Sequence, residues 1–313
     1  AVLVAKQVGK PVKVIWSREE DIQHGFYRPI SMGKLACGLD GDGNPVAWHH
    51  KVVGQSIFAY LLPHLIKDGW DRSSVEGTLH DQPYAIPNVQ IDFVMRNTHV
   101  PVGFWRSVGH SQNAFINECF MDEVAHAAGK DPYQFRRALL KSNPRWLAVL
   151  DLVAAKSDWG KPMPKGHGRG IAINESFGAI AAQVAEVSVD DRGEVHVHRM
   201  VAVIDCAHVV SFDTAISQVE SCVVYGLTAA LYGEITIKDG RVEQSNFDDY
   251  EMLTMKDMPK VEVYFSMSRA EVWGGIGEPA LTPTAPALCN AIFMATGKRV
   301  RTLPLRHHDL RTA

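Results

Sequence analysis

The sequence predicts an α+β protein made of mixed helix-and-strand lobes. Three observations predict this class: apolar residues at helical spacing in some stretches, alternating residues beside turn signals in others, and no internal repeat. At 313 residues and 46% hydrophobic composition, the chain can bury one large core or two smaller ones. We therefore expect two lobes, residues 1–160 and 161–313, which meet at the Gly- and Pro-containing loop 160–164.

The first lobe is expected to begin within a helix that has no cap before it. Gly9 ends this helix, and the missing cap predicts that the chain is a piece of a longer polypeptide, incomplete at its N-terminus. A strand is predicted at 13–16, and Ser17 followed by Glu20 has the spacing of a capping box. The turn signal at 40–44 predicts a β-hairpin.

The middle of the chain changes from loops to buried helices. Residues 56–99 are loop-rich, which is typical of a surface excursion that helps form a substrate entrance or a subunit contact. Apolar spacing predicts a deeply buried helix over 111–128, and Asp131 with Pro132 indicates the start of the next one. The remaining predicted elements are helices at 146–157, 213–232 and 287–295, and strands at 170–175, 181–190, 194–205, 234–237 and 261–265.

Charge and cysteine content exclude several functional classes. The formal net charge of −3 gives no basic face for phosphate neutralisation, so nucleic acid is not an expected partner. No apolar run reaches the roughly 18 residues that span a bilayer. The five cysteines lie far apart without a CxxC pair, so we expect buried thiols and no protein ligands to a metal.

The most informative stretch is residues 274–279, Gly-Gly-Ile-Gly-Glu-Pro. Three glycines in four positions allow the backbone to approach another group closely, because no Cβ blocks the way. Glu278 is delivered at the end of this loop, ahead of an apolar helix, and is a candidate general base. In the alternative interpretation, Glu278 only places a favourable negative charge near a helix N-terminus.

Two further motifs occur upstream of this loop. The first is residues 103–112, Gly-Phe-Trp-Arg-Ser-Val-Gly-His-Ser-Gln, and the second runs from residues 205–207 through 218–220 to 225–227. With residues 274–305, these motifs resemble the molybdenum hydroxylases of the xanthine oxidase superfamily, in the C-terminal portion of the molybdopterin-binding large subunit. The resemblance is greatest to the isoquinoline 1-oxidoreductase beta subunit and the bacterial membrane-bound aldehyde dehydrogenases.

The resemblance implies a reaction. It is the oxidative hydroxylation of an aldehyde or an N-heteroaromatic compound with water as the oxygen source, and Glu278 is the base that takes a proton from a hydroxyl on molybdenum. A different class remains open, namely a non-catalytic scaffold or interaction subunit that retains the fold. A metal hydrolase ranks third, because the sequence has no suitable ligand cluster.

The resemblance also implies site residues. Arg106 lies on a loop beside the metal with its backbone N–H toward the metal-bound oxygens, and the alternative is that it pairs with a carboxylate elsewhere. Gln218 matches a cofactor-side glutamine, with a purely structural hydrogen bond as the alternative. Many relatives have a phenylalanine that packs on an aromatic substrate where this chain has the smaller Val108. Stacking of a substrate ring is therefore not expected from Val108 itself. The full set is Arg106, Ser107, Gln218 and Gly277 for the cofactor, and Phe104, Trp105, Val108 and Ile276 for the substrate pocket.

Cofactors and partners follow from the same resemblance. The family implies a molybdopterin cytosine dinucleotide in this subunit and two [2Fe–2S] clusters on a separate small subunit, since this chain has no cluster motif of its own. The expected partners are a small-molecule substrate, the iron–sulfur subunit, the remaining N-terminal half of the molybdopterin subunit and a cytochrome c subunit. The expected location is the periplasm or the inner membrane, through those partners.

Overall fold

The computed structural model describes residues 1–311, and helices and strands are mixed along this range. The helices are α1 (Val2–Val8), α2 (Arg18–Gln23), α3 (Ile57–Leu61), α4 (Val108–Ala127), α5 (Pro132–Leu139), α6 (Pro144–Lys156), α7 (Phe212–Leu231) and α8 (Thr284–Thr296). The strands are β1 (Ser31–Leu39), β2 (Pro45–Gly54), β3 (Asn88–Met95), β4 (His167–Ser176), β5 (Ala179–Val189), β6 (Val195–Asp205), β7 (Ile237–Lys238), β8 (Arg241–Val242) and β9 (Lys260–Phe265). The predicted α+β class is confirmed.

The first sheet has the order β1-β2-β3, with β1 antiparallel and β3 parallel to β2. The predicted hairpin turn is present: the Asp40 carboxylate accepts the amide N–H groups of Asp42 at 3.0 Å and Asn44 at 2.8 Å. The predicted strand at 13–16 is wrong, because no strand within residues 1–311 pairs with this segment. Strand β3 was not predicted, since its local sequence follows Pro87 and its pairing with β2 is non-local.

The second sheet has the order β4-β5-β6-β9, with β9 parallel to β6 and the other pairs antiparallel. Helix α8 lies against β4 at such close range that a Cβ on Gly170 would overlap the backbone of Ala291. The predicted strand at 234–237 is reduced to the two residues of β7. The other predicted strands of this lobe are confirmed, with bounds that shift by a few residues.

The two sheets share one hydrophobic core. A single buried cluster includes Trp48 of β2 and Leu150 of α6 together with Ile171 and Val203 of the second sheet. Helix α4 is buried between them, and its Glu118 carboxylate lies 2.8 Å from the guanidinium of Arg136 on α5. The lobe boundary at residue 160 therefore falls in a loop between elements that pack together, and it stays a prediction.

Two predicted helix starts are confirmed, and the prediction of buried thiols is confirmed for four of the five cysteines. The Ser17 hydroxyl accepts the Glu20 amide at 3.2 Å, and the Asp131 carboxylate accepts the Gln134 amide at 2.9 Å. All five cysteines are free, and four of them are buried, with Cys37 half-buried. Within residues 1–311, no helix combines the length and apolar character needed to cross a bilayer.

Candidate active site

The glycine loop, residues 274–278, lies at the end of β6 and against the turn between β4 and β5. The amide of Gly274 donates to the Cys206 carbonyl at 3.0 Å, and that of Gly275 donates to the Phe177 carbonyl at 2.9 Å. A Cβ on Gly274 would overlap the backbone carbonyl of Gly178, so glycine is required there for the close approach. This contact is the close backbone approach that the three glycines predicted.

The arginine loop, residues 103–107, ends in a strained turn at the start of α4. Ser107 has a φ of 73° and Val108 a φ of 47°, both in the left-handed region that residues with a Cβ rarely adopt. Ser107 is the N-cap residue of α4, yet its hydroxyl makes no capping hydrogen bond. Strain of this kind persists only where surrounding contacts hold it, and it is concentrated at functional sites.

Those surrounding contacts are supplied by Glu278. The Ser107 amide donates to Oε1 of Glu278 at 2.9 Å, and the Ser107 hydroxyl donates to the Glu278 backbone carbonyl at 2.8 Å. Glu278 precedes the short 3-10 helix Pro279–Leu281 but makes no side-chain capping bond to it. The half-buried carboxylate is therefore directed at the arginine loop rather than at the helix that follows it.

The Arg106 side chain links this loop to the glycine loop and to α7. Its Nε donates to the Gly277 carbonyl at 2.6 Å, and its terminal nitrogens donate to the Ser221 hydroxyl at 2.9 Å and to Oε1 of Gln218 at 3.3 Å. Within residues 1–311, Arg106 forms no ion pair with a carboxylate, so the alternative of a distant acidic partner is not what the structure shows. The side chain positions the loops and does not face outward as a free cation.

The Gly277 carbonyl has a second donor on α7. The Cys222 thiol lies 3.5 Å from this oxygen, and burial raises the pKa of the thiol to about 11. The thiol therefore remains protonated at neutral pH and acts as a weak donor rather than a nucleophile. Two donors fix the Gly277 carbonyl, and the position of the next residue, Glu278, is fixed with it.

Gln218 on α7 has one anchored end and one free end. Its Oε1 accepts from Arg106, whereas its Nε2 has no hydrogen-bond partner among residues 1–311, and the side chain is half-buried. A side-chain amide has two N–H donors on this nitrogen. The free end can donate to a bound polar group, and the anchored end makes the structural hydrogen bond of the alternative interpretation.

The predicted pocket residues are not all gathered in one place. Trp105 and Ile276 pack against the same buried cluster. Phe104 is 53% exposed and meets the ring of Phe58 edge-on at 5.8 Å. Val108 shares with Trp105 the wall of a cavity of about 10 Å³, which has room for roughly one water molecule.

Two residues near Glu278 were missed by the sequence reasoning. His110 is buried in the first turn of α4, and its ring centroid lies 5.7 Å from that of Phe177. Burial lowers the pKa of His110, while the charges of Asp81 and Glu278 act in the opposite direction. The second missed residue is Phe177. Its sequence signal was a phenylalanine before Gly178 in a two-residue hairpin turn, where Asn-Gly is the usual pair.

The described residues contain one group with metal-ligand proximity, and it lies outside this site. Asp190, Glu194 and His196 come together on the β5–β6 hairpin. Arg192 lies 3.4 Å from the Asp190 carboxylate and 2.9 Å from that of Glu194, so both carboxylates already share a cationic partner. Glu194 and His196 are exposed and Asp190 is half-buried, and Glu278 is not part of this group.

Comparison with known proteins relates this geometry to a family. Two family models match, both described as a molybdopterin cofactor-binding domain, over residues 1–140 and 120–259. The isoquinoline 1-oxidoreductase subunit beta of Brevundimonas diminuta is 30% identical over 97% of this chain and 39% of its own length. The membrane-bound aldehyde dehydrogenase [pyrroloquinoline-quinone] of Gluconacetobacter polyoxogenes is 29% identical over 99% of this chain and 44% of its own length.

The fold has a counterpart among solved structures. The quinoline 2-oxidoreductase of Pseudomonas putida 86 superposes with a TM-score of 0.83 over 97% of this chain and 64% of its own, at 13% sequence identity. The chain thus spans less than half the length of the two relatives, and it shares the fold of the quinoline 2-oxidoreductase over 97% of its own length. The two matched domains, the relatives and the fold together establish that the chain belongs to the molybdopterin-binding subunits of the molybdenum hydroxylase family.

Proposed function

We propose that this chain forms part of the active site of an enzyme that hydroxylates an aldehyde or an N-heteroaromatic compound oxidatively, with water as the oxygen source. Glu278 is the general base of this reaction. The observation that carries the proposal is the double hydrogen bond between Ser107 and Glu278, which fixes one carboxylate oxygen and leaves the other without a partner among residues 1–311. Relatives whose names specify isoquinoline and aldehyde oxidation support the substrate classes.

The residues present fit a molybdopterin cofactor. Oε1 of Gln218 lies beside the open backbone of Gly277, where it is the nearest neighbour of an added Cβ at 3.7 Å, and the amide nitrogen of the same side chain has no hydrogen-bond partner among residues 1–311. A polar cofactor requires donors of this type next to an open backbone. The residues that would hold it are Arg106, through its backbone, with Ser107, Gln218 and Gly277. When bound, the cofactor supplies a Lewis-acidic centre that also accepts two electrons.

The chain's own contribution is the placement of a base. Oε1 of Glu278 is held by the Ser107 amide, so Oε2 is the atom available to accept a proton. The Arg106 bond to the Gly277 carbonyl limits rotation of the residue that precedes this base. A base that is fixed before the substrate arrives pays no orientation cost during the reaction.

The test compares Glu278→Gln with Glu271→Gln in the complete molybdenum-loaded complex. Glu271 is an exposed carboxylate three positions before the glycine loop, and it serves as the matched control. We expect Glu278→Gln to keep its molybdenum and pterin content while turnover falls by at least roughly 10²- to 10⁴-fold. Incorporation of ¹⁸O from labelled water tests the oxygen source. Turnover of Glu278→Gln within a few-fold of wild type would favour the scaffold alternative.

The proposal includes partners that this chain does not contain. We infer a cytosine dinucleotide form of the cofactor, [2Fe–2S] clusters on a small subunit and a cytochrome c acceptor. Because the chain spans 39% and 44% of the length of its two relatives, we also infer that the remaining portion of the molybdopterin subunit takes part. A periplasmic or membrane-associated location would suit such an assembly. Purification of the intact complex, with mass analysis of its nucleotide, iron content and companion chains, tests each component. A guanine nucleotide or the absence of iron would contradict the corresponding part.

A further inference from the structure

The turn between β4 and β5 has an unusual residue at its tip. Ser176 pairs with Ala179, so Phe177 and Gly178 form a two-residue turn, with φ values of 52° and 75°. Turns with positive φ at both central positions favour Asn-Gly, because asparagine tolerates this region better than other residues with a Cβ. Phenylalanine at the first position is therefore strained.

Burial does not compensate this strain. Phe177 is 45% exposed, so a large part of its ring makes no contact within the described chain. Its backbone carbonyl accepts the Gly275 amide at 2.9 Å, and a Cβ placed on Gly275 would lie 3.4 Å from the Phe177 Cβ. The strained Phe177 is thus held against Gly275 of the glycine loop, and Gly275 lies three positions before Glu278.

His110 holds the other side of this ring. It lies three residues after Ser107, whose amide binds Glu278, and its imidazole packs at 55° to the Phe177 ring. Its Nδ1 is enclosed and has no hydrogen-bond partner within residues 1–311. A Cβ on Gly77 would lie 3.1 Å from this nitrogen, so the segment at Gly77 closes that edge of the imidazole. The imidazole is fixed between this segment and Phe177.

We propose that Phe177 is a specificity-determining residue of the active site and that His110 is the residue that positions it. The Phe177 ring packs on His110 and belongs to the turn that accepts the Gly275 amide, and it forms a wall of the site against which a planar heteroaromatic substrate packs in an offset or edge-to-face arrangement. This inference rests on the proposed function and narrows its substrate class to planar N-heteroaromatic compounds in preference to short aliphatic aldehydes. The strained turn then serves substrate recognition rather than stability.

The test uses Phe177→Asn in the complete molybdenum-loaded complex. Asparagine suits the turn, so the thermal midpoint should not fall and the molybdenum content should be unchanged. The ratio of kcat/KM for a bicyclic N-heteroaromatic to that for a short aliphatic aldehyde should fall by roughly 10-fold or more. The affinity for the hydroxylated bicyclic product, measured by titration without turnover, should fall in parallel. The matched control is Phe247→Asn, another exposed phenylalanine, which should change none of these quantities.

The positioning role of His110 has its own pair of variants. His110→Phe keeps an aromatic contact with Phe177 and should preserve the selectivity ratio, whereas His110→Ala should lower it in the same direction as Phe177→Asn. An unchanged ratio and product affinity in Phe177→Asn would overturn the proposal, and so would a lower thermal midpoint with an unchanged ratio. If the wild-type complex oxidises neither substrate, the proposed function has failed, and product titration alone decides the role of Phe177.

Discussion

Ser107 and Glu278 are joined by two hydrogen bonds although they lie 171 positions apart in the chain. One bond uses the backbone amide of Ser107 and the Glu278 carboxylate, and the other uses the Ser107 hydroxyl and the Glu278 carbonyl. The amide can point at the carboxylate because Ser107 has a φ of 73°. The backbone strain of the arginine loop and the orientation of the base are therefore parts of one arrangement.

Substitution at Ser107 separates the strain from the hydroxyl bond. Ser107→Ala keeps the strained φ and loses one hydrogen bond, which is worth about 0.5–1.5 kcal/mol. Ser107→Gly loses the same bond but adopts a positive φ at no steric cost. We expect Ser107→Ala to have the lower thermal midpoint of the two, measured on the complete complex. Equal midpoints would show that the left-handed backbone at this position carries no strain.

The three-way link made by Arg106 predicts a large effect for a change that keeps the charge. Lysine has a single ammonium group and cannot reach the Gly277 carbonyl, Ser221 and Gln218 together. We expect Arg106→Lys to loosen the glycine loop and to lower both bound molybdenum and turnover. Arg192→Lys, in an exposed ion-pair cluster, is the control and should match wild type. Wild-type molybdenum content and turnover in Arg106→Lys would contradict this role.

Local sequence signals accounted for much of the fold. The helical apolar spacing before Gly129 and the capping residues Ser17 and Asp131 act within a few residues of themselves, and the structure confirms each of them. The segment 13–16 has strand-forming residues, but β structure depends on a partner strand, and none lies beside it within residues 1–311. Non-local pairing was the information that the local pattern lacked.

The candidate site shows the same division. Glu278 was predicted from its glycine loop, and Arg106 was predicted from the motif that carries the family resemblance. The contact of Glu278 with Ser107 joins segments 171 positions apart, which no local pattern reveals. Phe177 and His110 meet only because the β4–β5 turn and the start of α4 are both next to the glycine loop. The only sequence signal was Phe177, a residue poorly suited to the first position of its turn. This signal becomes informative once the turn is known.

The buried His50 on β2 predicts a loss of stability in acid. It is fully buried, neither ring nitrogen has a hydrogen-bond partner within residues 1–311, and burial lowers its pKa from 6.5 to about 4. Between these pH values the unfolded chain binds a proton that the folded chain does not, so stability falls as pH decreases from 6.5 to about 4. A shift of this size corresponds to roughly 3 kcal/mol.

The measurement is the urea midpoint of the complete complex at pH 7 and at pH 4.5. His50→Leu cannot take up a proton, so the difference between its two midpoints should be smaller than in wild type. His24→Leu, at an exposed histidine, is the control and should retain the wild-type difference. An equal pH dependence in wild type and His50→Leu would show that other groups cause the acid sensitivity.

Enlarging Val108 distinguishes packing from substrate contact. The cavity that Val108 shares with Trp105 measures about 10 Å³, which cannot take a phenyl ring without movement of its walls. We expect Val108→Phe to lower the free energy of unfolding by about 1–3 kcal/mol through overpacking. Val210→Phe, at an 85% exposed position, is the size-matched control and should lower the free energy of unfolding far less.

If Val108 instead lines the substrate pocket, as the motif suggests, Val108→Phe should keep its stability and lower kcat/KM for a bicyclic heteroaromatic more than for a short aldehyde. Thermal unfolding and the kcat/KM ratio, measured on the same preparation, decide between these positions of the side chain.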